Sequence, residues 1–158
     1  MAARRLRPVE LDFVAHAPVR LVFVREIAAG PEAVYRALAE DVAAWAEWFP
    51  GVRSLRPVDD GAGRDVRLTG GGRFRETVIV AKEPEVYAYR VDVTNAPGLR
   101  ALVEEWRLTP APGGTRVRWT FAADGTGPLR GVLRLARGGL GRAFKGAVEA
   151  LEKRVGDG

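Results

Sequence analysis

Between residues 52 and 123 the chain offers six strand-like stretches, at 52–57, 64–69, 73–82, 86–93, 99–109 and 115–123, with only turns between them. The connections DDGAG, TGGG, KEPE, TNAPG and TPAPGG are built from the residues that tight turns demand. A parallel pair needs a crossover of a dozen or more residues, so these strands must pair antiparallel. Such a sheet has to bury a face, and the chain supplies a cover. Leu129, Leu133, Ala136, Leu140, Phe144, Ala147 or Val148, Leu151 and Val155 recur at helical spacing, which predicts one long helix of about 28 residues.

Ahead of the sheet, residues 21–27 read as a strand and 11–15 as a shorter extended piece. Gly30-Pro31-Glu32 starts a helix, with proline at the first helical position and a carboxylate in the first turn. A second short helix carries residues 42–48. The resulting order of strand, two short helices, six strands and long helix is an α+β, two-layer domain with room for a hollow between the layers.

Composition excludes several kinds of chemistry. The chain has 158 residues, the length of one ordinary domain, and no cysteine, so disulfides, thiolate catalysis and zinc ribbons are absent together. One histidine (His16) and one serine (Ser54) cannot build a triad in a nucleophile elbow, and a metal site of several histidines is impossible. No apolar run approaches the roughly 18 residues of a membrane span, and MAARRLRP leads into VELDF rather than a signal-peptide core. The expectation is a cytoplasmic protein needing no cofactor. The net charge of +5 raises the question of nucleic acid, but most arginines are scattered singly. Arg130, Arg134, Arg137 and Arg142 alternate with the apolar stripe of the last helix and read as its solvated face, so no nucleic-acid partner is expected.

Strand alternation selects what points inward. Val117, Trp119 and Phe121 share one face, and Leu102, Glu104, Trp106 and Leu108 another, leaving Glu105 and Arg107 outward. Tyr87, Tyr89, Val91 and Val93 form a third apolar face, while either face of 73–82 could serve. Glu104 is the sharpest functional candidate, because a carboxylate on an apolar face must be paired, neutralised or wetted. A bulge near Pro97-Gly98 would instead shift it to solvent. In "AEDVAAWAEWFPGV", residues 39–52, Trp45, Trp48 and Phe49 are too close together all to be surface, and Trp48 and Phe49 are expected beside a cavity. The glycines of 137–141 weaken the last helix, as close packing against Trp106 or Trp119, a kink or a hinge would explain.

Pro31, Val34-Tyr35, Leu38, Asp41, Trp45, Trp48 and Pro50-Gly51, with the later run from Trp106 to Trp119 (WRLTPAPGGTRVRW), resemble the START-like (Bet v 1-like, SRPBCC) superfamily, and within it the bacterial polyketide cyclase/dehydrase and lipid-transport group. Tyr35 stands where tryptophan is commoner. The resemblance spans roughly 21–155, which makes 1–20 an N-terminal extension and 21–156 the domain. It implies a helix-grip fold, in which a curved antiparallel sheet of about seven strands wraps a long C-terminal helix, with an internal cavity for a small hydrophobic ligand of polyketide, quinone or lipid type. Cavity residues would be drawn from Trp48, Phe49, Tyr87, Tyr89, Glu104, Trp106, Trp119, Phe121, Leu133, Leu140 and Phe144. Polyketide cyclisation or dehydration, with Glu104 or Tyr89 moving a proton, is the enzymatic alternative. A protein-interaction module with a ring-filled interior is the third reading.

Overall fold

A computed structural model describes residues 2–156; Met1 of the N-terminal extension lies outside the described residues. Strand β1 (Arg4–Arg5) precedes β2 (Val19–Ile27), helix α1 (Pro31–Ala39) and the one-turn helix α2 (Trp45–Trp48). Then follow β3 (Val52–Val58), β4 (Gly63–Leu68), β5 (Arg73–Lys82), β6 (Val86–Thr94), β7 (Leu99–Ala111) and β8 (Gly114–Gly125), and last α3 (Gly127–Leu135) and α4 (Arg137–Gly156). All pairings are antiparallel, in the order β2-β8-β7-β6-β5-β4-β3. The helices pack on the concave face of this curved sheet. The fold is the helix grip that the order of elements implies.

Two sequence expectations fail here. Residues 11–15 form a 3-10 turn, not an extended piece. Val14 from this turn packs on Val103 and Ala122, with Leu11, Phe13 and Ile79 around them, so it lies across the outer face of the sheet. Glu105, expected at the surface, is buried on that same face and paired with Arg107 at 3.0 Å and Arg118 at 3.6 Å. The alternating pattern concealed this because it treats one face of a sheet as wet, and here both are covered.

The single long helix is also two. Its break sits at Ala136, although Ala136 N donates to Val132 O and Leu140 N to Ala136 O, both at 2.9 Å. Hydrogen bonding thus continues across a change of direction, next to the low-propensity pair Gly138-Gly139. The apolar spacing carries straight through the bend, which is why periodicity alone reads one helix. Thr126 caps α3 by accepting from Leu129 N at 3.3 Å. Gly141 approaches Phe23, where an added Cβ would stand 3.3 Å from the ring, and not Trp106 or Trp119. At Gly139 the same Cβ would meet only an Arg142 guanidinium nitrogen at 3.8 Å. Gly139→Ala should therefore raise stability by a few tenths to about 1 kcal/mol, and Gly141→Ala should gain less or lose. Thermal unfolding of the two variants checks the order.

The N-terminus is tied into the sheet. β6 and β7 pair from Val86↔Arg107 only as far as Arg90↔Val103, and beyond that β1 takes the place beside β6, with Arg4 opposite Thr94 and Arg5 opposite Val93. Leu6 N donates to Asp92 O at 2.8 Å and Arg7 N to Arg100 O at 3.0 Å, so the segment bridges both strands. Leu6 itself is buried among Val91, Leu99 and Leu102.

Candidate functional site

Half of the space between sheet and helices is filled by rings. Trp106 stacks on Trp119 (5.5 Å, 17°), Phe144 stacks on Trp119 (6.0 Å, 18°), and Trp45 meets Trp106 edge-on at 5.6 Å. The other half, under α3 and between β4 and β8, is a cavity of about 400 Å³. Its walls are Phe49, Val66, Phe74, Leu102, Trp119, Phe121, Leu129, Leu133, Leu140 and Ala143, with Trp45, Tyr89, Arg64, Glu76 and Glu104 at one end. Gly51 and Thr69 line it too and are exposed, which marks the side where it meets solvent.

Of the residues expected at a cavity, Phe49, Tyr89, Glu104, Trp119, Phe121, Leu133 and Leu140 line it. Trp48, Tyr87, Trp106 and Phe144 do not; each lies behind the wall. Trp48 is displaced by its neighbour because residues 42–44 form a 3-10 turn, whose tighter winding turns Trp45 toward the sheet. Trp45 then faces the cavity with its indole N–H on Leu38 O at 2.9 Å, while the Trp48 N–H has no partner among the described residues. Trp106 is wholly buried under Trp45, Phe49 and Phe144. Tyr87 sits one row along the sheet against Tyr35, and Phe144 closes the ring-filled half, leaving the smaller Ala143 to face the hollow.

Glu104 does point inward. The bulge foreseen near Pro97-Gly98 exists, between Leu99 and Ala101, but it turns Leu99 and Leu102 inward together and leaves Glu104 on the concave side. Oε1 of Glu104 accepts from the Trp119 indole at 2.9 Å and from the Tyr89 hydroxyl at 3.0 Å; that hydroxyl in turn accepts from the Trp106 indole at 3.2 Å. Both bonds to Glu104 use one oxygen, which leaves Oε2 for the cavity.

Arg64 and Glu76 are the residues that sequence reasoning missed. They face each other directly across β4 and β5, and Arg64 Nε stands 2.9 Å from Glu76 Oε1 with both side chains almost wholly buried. The guanidinium lies 3.9 Å from the centre of the Tyr89 ring and 4.5 Å from that of Trp45, and donates to the Tyr87 hydroxyl at 3.3 Å. A cation packed on two ring faces is well placed electrostatically. The signal lies in the alternation: Val66 and Leu68 share the face of Arg64 while Asp65, Arg67 and Thr69 take the other, and Glu76 lies on one of the two competing faces of 73–82.

One arginine thus serves two carboxyl groups. Burial pushes the Glu76 carboxyl up to about 8, against the pull of Arg64 and with a further push from Glu104. Burial raises Glu104 as well, opposed by Arg64 and by the bonds from Tyr89 and Trp119. Burial works to lower the Arg64 guanidinium, but Glu76, Tyr89 and Tyr87 together hold it above its ordinary value. Both shifts run upward, so Arg64 stays cationic while burial favours a proton retained on the Glu76–Glu104 pair, two carboxyls beside one arginine. Tyr89 is held well above the ordinary tyrosine range by burial and by Glu104, so it acts as a donor and not as a base. Among the described residues, no group of three or more His, Cys, Asp or Glu side chains is placed to hold a metal ion.

A family model described as polyketide cyclase / dehydrase and lipid transport matches residues 18–156, nearly the whole chain. The chain belongs to that family. An uncharacterized protein of Mycobacterium tuberculosis is 29% identical over 87% of this chain and 84% of its own. A START superfamily protein from Mycobacterium smegmatis has the same fold, with a TM-score of 0.67 at 18% identity over 87% of this chain and 97% of that one. The di-domain ARO/CYC StfQ of the steffimycin biosynthetic pathway superposes with a TM-score of 0.72 at 15% identity, covering 92% of this chain and 53% of that longer one. Family membership carries the hydrophobic-ligand fold to this chain.

Proposed function

We propose that this protein binds one small, largely apolar molecule that carries a neutral oxygen at one end. The apolar body lies along Phe74, Leu102, Phe121 and Leu133, and the oxygen meets Glu104. What supports this is the contrast within a single cavity of about 400 Å³, apolar on nearly every wall and polar at one end. That volume is in the range for drug-sized ligands, roughly 300–1,000 Å³. A proton of the carboxyl pair placed on Glu104 is donated from Oε2 to a carbonyl or hydroxyl, whereas an anionic ligand group would face two carboxyls for one arginine. Ketones, quinones and alcohols of polyketide or isoprenoid type fit; fatty carboxylates fit poorly.

Saturable quenching of tryptophan fluorescence by an apolar quinone, with a matching adduct in native mass spectra, is the expected result. Leu133→Trp, which fills the cavity beneath α3, should weaken that binding at least tenfold at unchanged unfolding temperature. Binding that is unsaturable, or indifferent to Leu133→Trp, would count against the reading.

A second reading is favoured by the likeness to StfQ and by the donors at the polar end: the cavity folds a polyketide chain while Glu104 supplies a proton for cyclisation or dehydration. Turnover of a polyketide substrate, lost in Glu104→Gln, distinguishes it from binding alone. The ring-filled interior that an interaction module would need is at odds with the hollow under α3.

A further inference from the structure

Between Asp124 and Glu149 the chain contains Arg130, Arg134, Arg137, Arg142 and Lys145 and no acidic residue, so these five charges equal the formal net charge of +5 of the whole protein. The segment comprises α3 and the first turns of α4. No ion pair involves any of the five among the described residues; Arg134 donates to Pro18 O at 3.0 Å, and Arg137 lies 5.6 Å from the centre of the Phe23 ring. Arg134, Arg137, Arg142 and Lys145 are exposed. Beside them are the most exposed large apolar side chains of the described residues, Leu135 at 88% and Val132 at 58%. A lone exposed leucine means little. Here two apolar tips stand on the last turn of α3, just ahead of the bend at Ala136 and among unpaired cations, on the helix whose Leu129 and Leu133 form the roof of the cavity.

We propose that α3 and the start of α4 form a docking surface for an anionic lipid membrane, with Leu135 and Val132 entering the headgroup region and the arginines pairing with phosphates. Three observations select a lipid surface. The charge is of one sign over the whole segment, the apolar tips project where a folded partner would need a fitted pocket, and the face borders the one large apolar cavity described. Cation-rich amphipathic helices with apolar tips have this affinity for anionic bilayers. The surface is independent of what the cavity holds.

Flotation of the full chain with vesicles tests it. Binding is expected to phosphatidylcholine vesicles containing about one-third phosphatidylglycerol and not to pure phosphatidylcholine, and it should weaken with salt. Each arginine near such a surface contributes about fivefold, so Arg134→Gln/Arg137→Gln/Arg142→Gln should lower the partition coefficient on the order of a hundredfold. Leu135→Ser should lower it about tenfold. The control Arg53→Gln/Arg56→Gln/Arg73→Gln removes the same charge from exposed positions elsewhere and should leave binding within a fewfold. All three variants alter exposed side chains and should keep the parent unfolding temperature. Failure to bind the anionic vesicles overturns the proposal, as does equal loss in the control or full binding by Leu135→Ser. Saturable capture of an acidic protein by this face in the absence of vesicle binding would also overturn it.

Discussion

Replacing Arg64 by methionine is expected to destabilise the fold by about 3–5 kcal/mol, the largest effect of any single conservative change in the cavity. Methionine fills much of the space over Tyr89 and Trp45, so the loss arises mainly from electrostatics. Glu76, 2.9 Å away and buried, would keep its carboxyl in an apolar setting with no cation to compensate it. The double variant Arg64→Met/Glu76→Leu should recover most of the loss, because a buried pair exchanged for well-packed apolar groups is often neutral or better. Arg56→Met, which breaks a pair to Asp65 in which the arginine is 73% exposed, should cost less than about 1 kcal/mol. Urea denaturation of the four proteins decides the matter; a small effect of Arg64→Met, or no recovery in the double variant, would mean that packing and not charge holds this end of the cavity.

Stability should fall as pH rises from about 5 to 8, and Glu104→Gln should suppress much of that fall. In the unfolded chain Glu76 and Glu104 release their protons near the ordinary glutamate value of about 4.3. In the fold Glu76 keeps its proton to about 8, and Glu104 is displaced in the same direction. The folded state therefore binds more protons than the unfolded one across this window. The contribution is complete below the unfolded value and disappears as pH passes the folded one. One extra proton retained over a pH unit corresponds to about 1.4 kcal/mol. Glutamine preserves the oxygen that Trp119 and Tyr89 donate to while removing the charge that pushes Glu76 upward. The variant should match the parent at pH 5 and exceed it by at least about 1 kcal/mol at pH 8. Parallel pH profiles for the two proteins would remove Glu104 from the shared-proton pair.

Local pattern was sufficient for most of the fold, and the reason is physical. Strand period, turn residues and the Gly30-Pro31 helix start are short-range signals, and strands β2 to β8 appear within two residues of their expected limits at every end. What escaped depends on distant partners. The bend at Ala136 interrupts no apolar spacing, and the 3-10 turn at 11–15 resembles a strand until Val103 and Ala122 are seen beneath it. The site divides in the same way. Glu104 was legible because β7 alternates cleanly around it. Arg64 shares the face of Val66 and Leu68, but its partner becomes evident only when β4 and β5 are aligned and Glu76 stands opposite. Trp45 and Trp48 exchanged roles through a change of helical pitch that no composition announces.

The first residues of the chain complete a join that later residues leave open. Arg4 and Arg5 meet Thr94 and Val93, and Leu6 and Arg7 bond to Asp92 and Arg100, so these contacts span about ninety residues of sequence, with the loop-closure entropy that such a span entails. On a ribosome this segment emerges well before β6 and β7 and has nothing to bind until they have been made. In the interval the strands past Arg90 and Val103 present bare edges on either side of a gap, the template to which another chain can add. Residues 4–7 thus behave as a built-in clasp that fastens last, after the stage when the nascent sheet is most exposed to mispairing.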